Sequence, residues 1–284
     1  MKIVTFAAIK GGVGKTTLAF NFAEYLAYKK AKKILLIDLD HQCNLTQTYD
    51  IYNTDNTVGE IFQGNSERVK LFDVASNISI IPGNMHLDNI EHSIENDTNK
   101  NMLMYLWLAD QYENLNLGSY DYIILDTHPD FGVATKNAFA ISHIAFSPIT
   151  PSKDGYNAKF NLKERLDEFR KEAIDFNTRK SYVTAQLLYI ANMIKNNTHS
   201  SKELLNAIKD DPEVVASVPN KEAFNQSTLA KLSIAHASIL SEEDVKNPDQ
   251  KRLVNKLSRS DQRKFLINIF NTFDKLQQIV DSAN

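Results

Sequence analysis

Short apolar runs ending at a polar residue or a proline recur along the chain, separated by stretches with helical spacing. Residues 2–8 (Lys2-Ile-Val-Thr-Phe-Ala-Ala8) are apolar and β-branched and predict a buried strand. Lys33–Asp38, Asn77–Pro82, Tyr120–Asp126, His143–Pro148 and Tyr182–Ile190 predict five more. Helical patterns fall between them, over 16–26, 101–114, 134–141, 155–174 and 201–209, with a short helix candidate at Thr57–Phe62. The strands are apolar throughout rather than alternating, which predicts an α/β fold: a doubly wound, mostly parallel sheet flanked by helices on both faces. From about residue 241 the chain turns helical and charged, ending in the amphipathic stretch Phe265–Leu276. No repeat, low-complexity segment or linker divides it. The expected organisation is one domain over residues 1–240, with a helical segment over 241–284 packed on it.

Composition narrows the class. At 284 residues and 43% hydrophobic content, the chain can bury a large core. Thirty-two Lys and Arg against 35 Asp and Glu give a net charge of −3, which excludes a strongly basic coat protein but leaves room for a local basic face. Cys43 is the sole cysteine, so neither an intrachain disulfide nor a cysteine metal site is available. The N-terminal apolar run stops at Lys10 after about seven residues, too short for a signal sequence. No segment approaches the roughly 18 apolar residues of a membrane span. A cytoplasmic protein is expected.

The most specific chemistry lies just after the first strand. Lys10-Gly-Gly-Val-Gly-Lys-Thr-Thr17 is a glycine-rich turn between strand and helix, which aims backbone N–H groups and a positive helix end at anionic oxygens. Lys15 can reach β- and γ-phosphates, and the Thr16 hydroxyl can ligate Mg²⁺. The general pattern places glycine at position 9, where this chain has Ile9, and instead a lysine, Lys10, stands directly before Gly11-Gly12. Two further strands end in carboxylates, at Asp38-Leu-Asp40 and at Asp126-Thr-His-Pro129. Ligands of a doubly wound sheet sit at the carboxyl ends of its strands. Thr16 is therefore expected to ligate Mg²⁺ directly, with Asp38 and Asp126 holding its waters. Asp40, two residues on from Asp38, faces the same way and would orient a water for in-line attack. The polar stretch 43–76 reads as an excursion beside this cleft.

These motifs resemble those of the ParA/MinD group of deviant Walker A ATPases, most closely the ParA-type partition ATPases. Lys10–Thr17 matches the family loop in full, Ile34–Asn44 its second motif and Tyr120–Pro129 its third, while Ile80-Ile-Pro-Gly83 and Val218-Pro219 fall at similar strand-end prolines. The resemblance covers roughly residues 2–235. It implies ATP and Mg²⁺ as ligands, with ATP held by Lys10, Gly11, Gly12, Val13, Gly14, Lys15, Thr16 and Thr17 and the adenine by Asn192, Val218 and Pro219. It also implies that Lys10 reaches across an ATP-dependent homodimer to the partner's phosphates. Stacked triphosphates would otherwise repel each other. Lys10, Lys15 and Asp40 are the expected catalytic residues. His41 and His128 stand where the family usually has proline. They read either as ordinary loop residues or as groups near the γ-phosphate that make hydrolysis sensitive to pH near about 6–7.

Between residues 246 and 264 basic residues outnumber the two acids Asp249 and Asp261. The three- and four-residue steps among Lys251, Arg252, Lys256, Arg259 and Arg263 suggest one basic helical face, suited to phosphate contact without base readout. The resemblance adds Lys195, Lys202 and Lys221, in segments where relatives place DNA-contacting residues. It implies non-specific DNA binding, nucleoid association and a centromere-binding ParB-type adaptor that stimulates hydrolysis. Because the first strand starts at residue 2, an N-terminal helix-turn-helix extension is not expected. A MinD-like membrane-cycling ATPase is the alternative. It would use the apolar stripe Leu266, Ile269, Phe270, Phe273, Leu276, Ile279 and Val280, yet Lys275 is the sole cation beyond Lys264, a poor match to anionic lipid. An iron-sulfur reductase of similar fold would need two cluster cysteines.

Overall fold

The structure, a computed structural model, describes residues 1–52 and 54–283. Eight strands form one sheet: β1 (Lys2–Phe6), β2 (Ile34–Leu39), β3 (Phe72–Ala75), β4 (Ile78–Ile81), β5 (Tyr122–Thr127), β6 (Ile144–Ile149), β7 (Gln186–Ile194) and β8 (Val214–Pro219). Their order is β3-β4-β2-β5-β1-β6-β7-β8, parallel throughout except for β3 against β4. The helices are α1 (Lys15–Lys30), α2 (Asn44–Thr48), α3 (Gly59–Phe62), α4 (Leu87–Ser93), α5 (Leu103–Gln111), α6 (Val133–Ile141), α7 (Lys153–Glu172), α8 (His199–Ala207), α9 (Glu222–Ala230), α10 (Ile234–Ala237), α11 (Pro248–Ser258) and α12 (Arg263–Ser282). The doubly wound α/β architecture expected from the strand pattern is present.

Every residue of β2, β4, β5 and β6 is buried, the condition that favours uninterrupted apolar runs over alternation. One face is covered by α1 and α9–α12, the other by α3–α8. Three elements depart from the pattern-based reading. β3 lies inside the polar stretch 43–76; it is a four-residue, half-exposed edge strand whose pattern is too short to register. β7 starts four residues later than the Tyr182–Ile190 run. Its pairing with β6 begins at Ile144↔Gln186, while the Tyr182 N–H is tied back to the Ala173 carbonyl at 3.0 Å. β8 is a partly exposed edge strand of which the sequence pattern marks only the closing Val218-Pro219.

The C-terminal helices complete the core. Phe265, Ile269, Phe273, Leu276 and Val280 of α12 are buried, and the Phe273 ring packs at 5.8 Å from Phe22 and 5.3 Å from Tyr25 of α1. The apolar stripe of α12 is thus occupied by the fold itself. Among the described residues no helix is long and apolar enough to cross a membrane.

One polar cluster sits within that layer. Glu24 of α1 is 4% exposed and accepts hydrogen bonds from Tyr49 Oη at 3.0 Å and Ser233 Oγ at 3.1 Å. Burial outweighs both bonds and pushes its pKa up to about 7. The folded chain therefore retains a proton that the unfolded chain releases near pH 4.5, so this group's contribution to stability is lost as pH rises from there to about 7. Glu24→Gln keeps the shape: its amide oxygen accepts from one of the two hydroxyls and its amide nitrogen donates to the oxygen of the other. Urea denaturation should find it more stable than the parent by about 3 kcal/mol at pH 8, with the gap narrowing to under about 1 kcal/mol at pH 5. A pH-independent difference would refute this account.

Candidate active site

The cleft is built at the carboxyl ends of β1, β2 and β5. After β1 the chain makes the glycine turn, in which Gly12 and Gly14 have φ of 72° and 90°, values that L side chains resist. Gly14 is constrained a second way, since a Cβ there would come within 2.5 Å of Asn192 Nδ2. Ile9, where the general pattern has glycine, packs its side chain against the core beneath α7. No side chain caps α1 and no acid occupies its first turn. Its leading N–H groups thus remain available to an anion.

Lys15 opens α1 and is buried. Burial lowers its pKa, against the opposing pull of Asp126, Asp40 and Asp130. These acids arrive together because β2 and β5 pair in register, Asp38↔Asp126 and Leu39↔Thr127. The two paired carboxylates, both fully buried, have different surroundings. Asp38 Oδ2 accepts from the Thr46 N–H at 2.9 Å and the Thr46 hydroxyl at 2.7 Å, and Oδ1 accepts from the Asp40 N–H at 3.1 Å. Burial pushes Asp38 up to about 6 despite those bonds. Asp126 has no hydrogen-bond partner on either oxygen among the described residues. Burial, then the charge of Asp38, pushes it up to about 8, with Lys15 pulling the other way. A buried carboxylate with two unpaired oxygens, beside the Thr16 hydroxyl and Asp38, is a hard-oxygen donor set that fits Mg²⁺.

Asp40 is 6% exposed, and its Oδ1 accepts from the Gln42 N–H at 2.9 Å. His128 Nδ1 also lies 2.9 Å from that oxygen, and the His41 and His128 rings are in contact, tilted by 35° with centroids 3.9 Å apart. Both histidines are half-buried and sit against Asp40 at the cleft. Lys10 is half-buried too. Its ammonium donates to Ser152 Oγ at 3.4 Å, at the start of α7, rather than to a carboxylate.

A family profile described as an AAA domain matches residues 1–179. The chain belongs to the ParA/MinD family of P-loop ATPases. It is 32% identical to the virulence-plasmid ParA family protein pGP5-D of Chlamydia psittaci over 157 residues, 53% of this chain and 58% of that protein. It is 30% identical to the sporulation initiation inhibitor protein Soj of Bacillus subtilis over 181 residues, 62% of this chain and 68% of Soj. The match to the Chlamydia protein thus spans little more than half of that relative's length. A candidate plasmid partition protein of Borrelia burgdorferi bound to AMPPNP superposes with a TM-score of 0.68 at 25% identity, over 90% of this chain and 96% of that one.

The other expected contacts of this ParA/MinD family member are placed less uniformly. Asn192 is buried and donates from Nδ2 to the Val13 carbonyl at 2.8 Å, bracing the phosphate loop. It lines a cavity of about 150 Å³ with Gly14, Thr17, Met193, Pro219 and Phe224. Met193 beside it is a non-glycine residue at φ 58°. Val218 does not line that cavity. Alternation along β8 turns its side chain into the core, where it is 1% exposed. Within the loop, Gly11 and Gly12 are exposed, Val13 is buried, and Thr16 and Thr17 are half-buried.

Lys195, Lys202, Lys221, Lys251, Arg252, Arg259 and Arg263 are exposed, and Lys256 is half-buried. The single basic helical face is not formed. α11 ends at Ser258, Arg259 is extended at φ −68° and ψ 143°, and Arg263 begins α12. α11 packs on α9 and α10 whereas α12 crosses β8 and α1, so the chain must turn between them to bury both apolar sides. Within α11, Arg252 also faces Asp249 at 3.4 Å.

Sequence reasoning missed Thr46, whose hydroxyl donates to Asp38 and accepts from the Gly83 N–H at 2.8 Å. The signal available was Asp38 itself, since a carboxylate closing a wholly apolar strand needs a nearby donor.

Proposed function

We propose that this chain is an ATP-dependent DNA-partition ATPase, and that its phosphate loop with Lys10, facing the register-paired carboxylates of β2 and β5, is the observation that carries the reading. The α1 N-terminus and Lys15 hold the β- and γ-phosphates. Thr16, Asp126 and Asp38 hold Mg²⁺, which neutralises phosphate charge when bound. Asp40 orients a water toward the γ-phosphorus, the bond to the bridging oxygen breaks, and ADP and phosphate leave. Lys10 acts across a homodimer, placing its ammonium between two triphosphates. The ATP-bound dimer binds DNA non-specifically through phosphate contacts from the exposed Lys195, Lys202, Lys221, Lys251, Arg252, Arg259 and Arg263, with Lys256 beside them. A centromere-binding ParB-type adaptor then stimulates hydrolysis and returns the monomer.

The kinship with Soj and pGP5-D supports this reading over a membrane-cycling one, as does the occupied apolar stripe of α12. Fluorescence anisotropy with a labelled duplex tests it. Binding should require ATP, be absent with ADP or no nucleotide, and weaken at least about tenfold between 50 and 200 mM salt. Equal affinity in all three nucleotide states would overturn the dimer-gated model.

A further inference from the structure

We propose that Asp40, His41 and His128 form a second cation site, selective for a divalent transition ion of the Zn²⁺ class, which arrests hydrolysis by engaging the carboxylate that orients water. The inference rests on the ATPase reading for its consequence, but not for the site itself.

The site follows from the sheet. Asp38 pairs with Asp126 and Leu39 with Thr127, so the residues one step beyond, Asp40 and His128, emerge side by side. His41 follows at once, its ring tilted by 35° against that of His128 with centroids 3.9 Å apart. One ligand atom from each of the three lies within 4.8 Å of the others, and the Asp40–His128 pair is already at 2.9 Å. A Zn²⁺-class ion with bonds of about 2.0–2.2 Å holds its ligand atoms roughly 3–3.5 Å apart, so a modest ring rotation closes the set. Two imidazoles with one carboxylate favour a transition ion, whereas the oxygen donors of Asp126 and Thr16 favour Mg²⁺. The two sites are thus separated by donor chemistry although they share one strand end. Asp40 is buried while both histidines are half-exposed, which gives an ion an approach from solvent and leaves coordination positions for water.

The consequence is specific. An ion on Asp40 takes the lone pairs that would hold the attacking water, and leaves the phosphate loop untouched. Nucleotide binding should persist while turnover stops.

Co²⁺ titration with visible absorption, followed by Zn²⁺ competition, tests the site without reference to activity. The wild-type chain should develop a ligand-field band that micromolar Zn²⁺ displaces and millimolar Mg²⁺ does not. His41→Ala and His128→Ala should each weaken Co²⁺ binding by more than about tenfold. His128→Gln, which retains an N–H donor for Asp40 but offers no imidazole, should weaken it equally, separating ligation from loop support. His199→Ala should leave the band unchanged, since His199 pairs with Glu203 on the surface of α8. Zn²⁺ should inhibit wild-type hydrolysis and spare His41→Ala. A band unaffected by His41 and His128 substitutions, or an active enzyme indifferent to Zn²⁺, would overturn the inference. An inactive wild-type chain that still shows the band would overturn the ATPase reading and leave the metal site standing.

Discussion

Replacing Asp40 with alanine is expected to lower ATP turnover by about 100-fold or more, while ATP still binds and the dimer it drives persists. Asp40 is held by the Gln42 N–H and His128, and among the described residues its carboxylate hydrogen-bonds none of the groups that cradle phosphate, acting on Lys15 only through its charge. Its removal should therefore cost the orientation of water and little else. Phosphate release measures turnover, and light scattering coupled to gel filtration measures the dimer. Wild-type turnover in Asp40→Ala would assign the water to another residue. A loss of ATP binding would place Asp40 in the phosphate cradle instead.

Lys10→Ala should separate binding from assembly. Lys15 and the uncapped N-terminus of α1 remain in that variant, so a fluorescent ATP analogue should bind within about threefold of wild type, under 1 kcal/mol. The ATP-dependent dimer should be lost, because no lysine ammonium then lies between the two facing triphosphates to offset their repulsion. The comparison is cleanest in an Asp40→Ala background, where hydrolysis cannot dissolve the dimer during the measurement. A dimer of normal stability would assign Lys10 to its own subunit, along the contact it now makes with Ser152.

The sheet was legible in the sequence because burial on both faces favours strands that are mostly apolar and do not alternate, as β1, β2, β4, β5 and β6 are, with only a few buried polar residues such as Thr5, Ser79 and Ser147 inside them. The carboxylates were legible because charges closing such strands are expensive unless used. Their unequal surroundings were not. Asp38 is satisfied by Thr46, which reaches it only after the chain has turned into α2, whereas neither oxygen of Asp126 is hydrogen-bonded among the described residues. The contact of His41 and His128 likewise depends on strand register, a property of two distant segments together. Spacing misled at the C-terminus. Three- and four-residue steps persist across Arg259 whether or not the helix does, and the break there is set by two apolar faces that pack on different neighbours. Edge strands β3 and β8 were faint for the opposite reason: half-exposed, they need not be apolar.

The Asn192 brace has a consequence for base selection. One N–H of its amide is given to the Val13 carbonyl, which fixes the side chain and leaves the second N–H and the amide oxygen for a ligand. On the proposed ATPase reading, a purine would meet an amide whose orientation the phosphate loop has already set, and a neutral hydrogen bond to it would contribute about 1 kcal/mol. Removing that amide would then loosen the turn that carries Gly14 as well as the hold on the base, so base and phosphate recognition would weaken together.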